Sequence, residues 1–180
     1  ASVSVPMWWL NCPVYLAKVY KVMFASITLA VCVLLYALIV DDFQLAYVTQ
    51  HSHQLMPTYL KLSALWGSHA GTWLYMIWLL LGWGSLVPFE RRGTVVRAAG
   101  IMSAGLLLFD SPFKVQYVYE RVPIALNPLL QDIGMMIHPP ILLAGYIGAI
   151  VPWLCICGQG NRLDIKQLQI SSLAILSLGL

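Results

Sequence analysis

The sequence predicts an all-α integral membrane protein, a single domain over residues 1–180 built as a bundle of about five transmembrane helices. Three observations predict it. Hydrophobic residues make up 60% of the chain and charged residues only 9%, where a soluble globular domain carries roughly a quarter charged. The apolar residues gather into a few long runs, and charges sit at the ends of those runs. The mean hydropathy is +0.79.

The first run covers roughly 19–40 and stops at Asp41-Asp42, and the second covers roughly 71–89 and stops at Glu90-Arg91-Arg92. A third, 95–109, is short against the roughly 17–25 residues a spanning helix needs, so it must tilt little or borrow length from a neighbour. The fourth, 141–157, follows Pro139-Pro140, and proline is tolerated at a helix start because its missing N–H would be unpaired there anyway. A fifth begins near Leu168 and runs to Leu180. Two longer connections, 41–70 and 110–140, then emerge at one end of the bundle. Gly145 and Gly148, with Ala144 and Ala149 nearby, suit close helix packing.

Charge placement orients the bundle. Lys18, Lys21, Arg91, Arg92, Arg97, Arg162 and Lys166 fall on one side, and only Lys61, Lys114 and Arg121 on the other. The positive-inside rule assigns the first side to the cytoplasm or matrix. The net charge of +3 is too scattered to make a nucleic-acid surface, and no basic run exists. Cys12, Cys32, Cys155 and Cys157 read as small apolar residues rather than a disulfide scaffold. The chain starts at Ala1, which suggests processing or a fragment, and no signal peptide is marked. Walker, dinucleotide-binding, H-E-x-x-H and G-x-S-x-G signatures are absent, as are internal repeats.

All four histidines, His51, His53, His69 and His138, fall in or beside the two outer connections, with Trp66, Trp73, Tyr59, Tyr117 and Tyr119. An interfacial belt explains the aromatics; a surface for a flat apolar cofactor is the alternative. His51-x-His53 could chelate a metal only if strand-like, and no third ligand stands out. Solvated loop histidines are the simpler reading there. His69 sits between Gly67 and Gly71 at the mouth of a spanning helix, and alone would be a capping or interfacial histidine. His138 directly precedes Pro139-Pro140, where a loop turns back into the membrane. A neutral imidazole held by its backbone at an apolar surface is what an axial haem ligand needs. On spacing alone the structural reading of His138 comes first.

A resemblance changes that weighting. Leu126-Asn127-Pro128-Leu129-Leu130-Gln131-Asp132-Ile133-Gly134, continuing through His138-Pro139-Pro140 to Gly145-Tyr146-Ile147-Gly148, resembles a signature of the CcmF/NrfE family of cytochrome c-type biogenesis proteins. Asp41-Asp42-Phe43 with Tyr47-Val48, the stretch from Lys61 through Trp66-Gly67-Ser68-His69-Ala70-Gly71, and Ser111-Pro112-Phe113 are similar to further motifs in family order. The resemblance implies the N-terminal portion of a haem lyase membrane subunit that attaches haem to apocytochrome c. Haem would be the cofactor, shared with a second polypeptide. His138 would be an outer axial ligand, its only metal contact being the haem iron, with Trp66 and His69 near the haem-facing loop. The chain's own residues would include no catalytic acid, base or nucleophile. Implied partners are the rest of CcmF with its tryptophan-rich motif, the haem chaperone CcmE, a CcmH-type thiol protein, apocytochrome c and the lipid bilayer, but no nucleic acid.

There are departures from the pattern. Ala70 stands where the family has Glu, Ile133 replaces a Pro, and the third span is shortened. One family helix before Val19 is missing, and Leu180 precedes the tryptophan-rich platform and the remaining family histidines. The expected reading is a split portion of the lyase that is not catalytic alone. Split versions point to the mitochondrial inner membrane ahead of a bacterial cytoplasmic membrane. A non-catalytic structural subunit derived from CcmF is the competing reading. A small-molecule transporter finds no support, because the spans are expected to be free of ionisable residues. The charge bias predicts opposite sidedness for Gly93 and Gln116: an impermeant thiol reagent on sealed membranes should label Cys at only one of them from a given side. Equal labelling of both would overturn the topology.

Overall fold

The computed structural model describes residues 13–87, 89–115, 133–157 and 163–178. Among these residues seven helices follow in order: α1 (Pro13–Val40), α2 (Ala46–His51), α3 (Thr58–Ser63), α4 (His69–Gly84), α5 (Arg92–Phe109), α6 (Ile133–Cys157) and α7 (Leu163–Leu178). Short 3-10 turns at Ala64–Trp66 and Phe89–Arg91 lead into α4 and α5. Among the described residues the only extended pairing is an isolated bridge between Leu45 and Val115, so the protein is all-α. Val14–Val40, Arg92–Phe109 and Met136–Cys155 are long and apolar enough to cross a membrane. The 16-residue α4 and α7 rise only about 24 Å, against a hydrocarbon core of ~30 Å. Three of the five expected spans therefore meet the length requirement unaided.

The bundle is organised around α4. Its Leu74, Ile77, Leu80 and Leu81 are buried among α1, α5 and α6. Polar ties join the same neighbours: Tyr20 Oη donates to the Leu81 carbonyl. Trp78 Nε1 donates to Thr28 Oγ1 at 3.1 Å and Trp83 Nε1 to the Ala144 carbonyl at 2.9 Å. Without water nearby such donors need a protein acceptor, and each interhelical bond contributes roughly 0.6 kcal/mol in a membrane. Glycines set the closest approaches. A Cβ on Gly148 would lie 2.7 Å from the Trp83 ring, and one on Gly145 2.7 Å from Cα of Leu176 in α7. The packing role expected for this pair is what the geometry shows.

Several helices overrun their apolar runs. α1 begins at Pro13, and α5 begins at Arg92, which lengthens the short third run to 18 residues. Arg92 can start a helix because its guanidinium ties back to the preceding turn. Nε donates to the Val87 carbonyl at 3.0 Å and Nη2 to the Ser85 carbonyl at 2.8 Å. A cation there also complements the C-terminal end of α4, and it lies over the Tyr20 and Phe89 rings. Lys18 and Arg92 are consequently helical, and Lys21 and Arg97 already fell within the runs 19–40 and 95–109, so the expectation of spans free of ionisable residues does not hold. All four lie towards one end, where Gly93 faces Leu16.

At the opposite, outer end the 41–70 connection is folded into α2, α3 and a 3-10 turn rather than left as a loop. Ala46 N–H donates to the Lys114 carbonyl at 2.9 Å, so both outer connections meet there. α1 ends at Val40 and is closed by Asp41, which adopts φ 58°, while Asp42 N–H reaches back to the Ala37 carbonyl at 3.0 Å. That is a left-handed helix stop, normally glycine's position. The Asp41 carboxylate accepts from Lys61 Nζ at 2.5 Å and Ser52 Oγ at 2.8 Å, with side-chain exposures of 7% for Lys61 and 15% for Asp41. Lys61→Met would strand the carboxylate and should cost about 3–5 kcal/mol. Adding Asp41→Asn, which keeps a residue tolerant of positive φ, should recover most of it. Thermal unfolding in detergent reads both; an unshifted Lys61→Met midpoint would show that the pair holds nothing.

Candidate functional site

The outer end is assembled from α2, α3, the 3-10 turn, and the N-terminal ends of α4 and α6. Its anchor is Tyr47, buried on α2. The Tyr47 hydroxyl donates to the Ala64 carbonyl at 2.7 Å, with the Leu65 carbonyl at 3.2 Å. Burial pushes the Tyr47 phenol up to about 12; Ser68 pulls the other way and Asp110 adds to the rise. The hydroxyl therefore remains protonated, and a donor, across the physiological range. The 3-10 turn that it grips leads directly into Gly67-Ser68 and α4.

Gly71 explains why the turn can sit so close. A Cβ there would lie 2.0 Å from the Leu65 carbonyl oxygen and 2.1 Å from Tyr47 Oη. The last position of the Trp66–Gly71 motif is thus fixed by a backbone oxygen that cannot yield. Trp66 is half-buried, its ring 5.9 Å from Tyr75, which stands 5.9 Å from Trp78. Thr72 Oγ1 donates to the Trp66 carbonyl at 3.1 Å. Trp66 thus heads an aromatic row along α4.

His69 is the first residue of α4 and is exposed. His51 is held: its ring stacks on Tyr47 with centroids 4.5 Å apart, and Nδ1 lies 2.8 Å from the Tyr47 carbonyl. The expectation of a loop histidine without fixed geometry is therefore corrected for His51. It ends a helix and does not alternate with His53 along a strand. Among the described residues no three His, Cys, Asp or Glu side chains gather as a metal site. Cys32 and Cys155 are free thiols, exposed and buried respectively.

His138 needs the largest correction. It lies inside α6, not in a loop before it, because the helix already starts at Ile133 and contains Pro139 and Pro140. The residue before a proline is biased away from helical backbone, which is why the sequence suggested a break. Each proline removes one i→i−4 bond, but both occur in the first third of α6, a helix that packs against α3 and α4. Ile133, where the family pattern has Pro, is the first helical residue, a position that suits proline. The His138 side chain is exposed, as is that of Ile137.

The structure thus carries His69 and His138 at the outer ends of two neighbouring helices, both open to the surroundings. Tyr117, Tyr119 and the 126–132 motif lie outside the described residues. Sequence reasoning passed over Tyr47 as an anchor and the Asp41–Lys61 pair. An apolar segment around Lys61 was the one signal that this lysine is buried.

Gly71→Ala should destabilise the protein by at least the ~1–3 kcal/mol usual for an overpacked core. Gly82→Ala, whose Cβ meets nothing within 4 Å, should be neutral or stabilising by up to about 1 kcal/mol. Paired melting curves in detergent test this; equal effects would contradict the close approach.

No family model matches the chain, and no solved structure matches it. It is 39% identical over 140 residues to the cytochrome c-type biogenesis protein CcmF of Haemophilus influenzae, covering 70% of this chain and 21% of that protein. It is 38% identical over 157 residues to CcmF of Pseudomonas fluorescens, covering 78% and 24%. It is 37% identical over 139 residues to the probable cytochrome c-type biogenesis protein NrfE of Escherichia coli, covering 71% and 25%. The chain spans only a fifth to a quarter of the length of these relatives. They are bacterial, so they lend no support to the mitochondrial location expected from sequence. Over some seven-tenths of its length or more, this chain is homologous to the CcmF/NrfE cytochrome c-type biogenesis proteins, corresponding to their N-terminal part.

Proposed function

We propose that this chain is an N-terminal portion of a CcmF-type haem lyase subunit, taking part in haem delivery and covalent haem attachment to apocytochrome c. One observation carries the reading: an exposed His138 imidazole on the outer turns of α6, inside the His-Pro-Pro context that resembles the family. An imidazole on a helix, next to exposed apolar Ile137, fits one axial position of a haem substrate. The helix fixes its height relative to the bundle, and no catalytic proton transfer is asked of it. Among the described residues of this end there is no tryptophan-rich platform, so the chain needs a second polypeptide or segment to cover the porphyrin. The chemistry itself joins haem vinyl groups to the two thiols of an apocytochrome C-x-x-C-H motif, with a CcmE-type chaperone supplying haem and a CcmH-type thiol protein as a further partner. The chain's contribution is positioning.

One observation favours a scaffold reading instead. Ala70, where the family pattern has Glu, is buried at 4% exposure, so this position holds packing and not a carboxylate. A non-catalytic subunit would tolerate that loss.

His138→Ala separates the two. The side chain is exposed and alanine suits a helix, so insertion and assembly should be retained. Covalent haem in c-type cytochromes should nevertheless fall, by on the order of a hundredfold if the substrate shifts by about 1 Å, and exogenous imidazole should restore part of it. Unchanged haem attachment in a fully assembled His138→Ala protein would sink the ligand role and favour the scaffold.

A further inference from the structure

Away from the outer end, α1 and α5 flank an apolar groove. The two helices run parallel and touch where Leu16 faces Gly93 and Met23 faces Gly100. Beside that seam lies a cavity of about 450 Å³ lined by Lys18, Val19, Val22, Met23, Ser26, Ile27 and Ser103, within the ~300–1,000 Å³ of ordinary ligand sites. Lys18 is its only charged lining residue and stands at the basic end of the bundle. Val22 is 66% exposed, so the groove opens sideways, towards the lipid. Lys21 and Arg97 are exposed on the same two helices, and Arg97 lies one turn before Gly100, level with the Lys18–Lys21 turn.

We propose that this groove holds one acyl chain of an anionic glycerophospholipid of the inner leaflet, with the headgroup phosphate on Lys18 and supported by Lys21 and Arg97. Charge complementarity selects the occupant. A neighbouring apolar helix would gain nothing from an ammonium at the groove's mouth, whereas a phosphate at the interface meets it at the depth where the acyl chain begins. Lys18 sits in the second turn of α1, where its long stem can follow the apolar wall while its charge remains at headgroup level. The Ser103 hydroxyl is turned to its own helix, donating to the Ala99 carbonyl at 2.8 Å, which keeps that wall of the groove effectively apolar.

The test uses the whole chain in nanodiscs of equal parts phosphatidylglycerol and phosphatidylcholine, with retained lipid counted by native mass spectrometry after mild detergent release. One phosphatidylglycerol should be retained in preference to phosphatidylcholine. Lys18→Gln should lower that preference about fivefold, the weight of one basic residue at an anionic surface. Val22→Trp, which fills the groove without touching the charge, should lower retention of both lipids. Lys114→Gln, at the other end of the bundle, should change neither. Equal retention of the two lipids by the unaltered chain, or unchanged retention in both Lys18→Gln and Val22→Trp, would overturn the proposal.

Discussion

The outer end of this protein depends on one buried ion pair. Asp41 stops α1 in a left-handed conformation that costs a non-glycine residue roughly 1–2 kcal/mol, yet the position is not glycine. The reason lies in its carboxylate, which receives Lys61 from α3 and Ser52 from the turn after α2. Two segments are thereby tied to the end of the longest helix. A nearly dry ion pair is a poor source of net stability, but it is costly to satisfy in any other arrangement. That asymmetry specifies where α3 sits, and α3 in turn packs against both α1 and α6.

From α3 the constraint passes along the chain to the site. The 3-10 turn after it is gripped by Tyr47, and Gly71 lets α4 start within contact of both the turn and the phenol. α4 then carries the position of its N-terminus into the bundle through the ties from Tyr20, Thr28 and Ala144. The outer histidines therefore ride on elements fixed at two levels, by the polar cap above and by the helix contacts below. A surface that must hold a large flat substrate at a defined height has this requirement.

Much of this was legible in the residues, and the failures have physical causes. The long apolar runs announced α1, α4 and α5, because burial in lipid leaves no amphipathic stripe to interpret. The boundaries were less legible, since hydropathy ends a run at the first charge while a helix does not. Arg92 joins α5 because nearby carbonyls accept its guanidinium, an interaction invisible in a linear pattern. The outer connection appeared as a loop because α2 and α3 are six residues each, too short to show a period. Their existence rests on tertiary anchors at Asp41 and Tyr47, and no local propensity signals such anchors. The motif histidines were found by type and resemblance, whereas their supports were missed.

The helical setting of His138 alters what its chemistry requires. A loop ligand would owe its position to two restrictive prolines, and its reach could vary with the loop. On α6 the backbone is already placed by contacts much deeper in the bundle, where Gly145 admits α7 and Gly148 admits the Trp83 ring of α4. The prolines then act on the helix rather than on the histidine alone. Removing two early hydrogen bonds loosens the outer turns without releasing them from the packed length below. An imidazole carried in this way has a defined height and some freedom of tilt. That combination suits the role proposed for His138, a ligand that accepts a substrate from one partner and surrenders it to another. Rigid placement by a fully bonded helix would favour a resident group, and an unsupported loop would not position the iron at all.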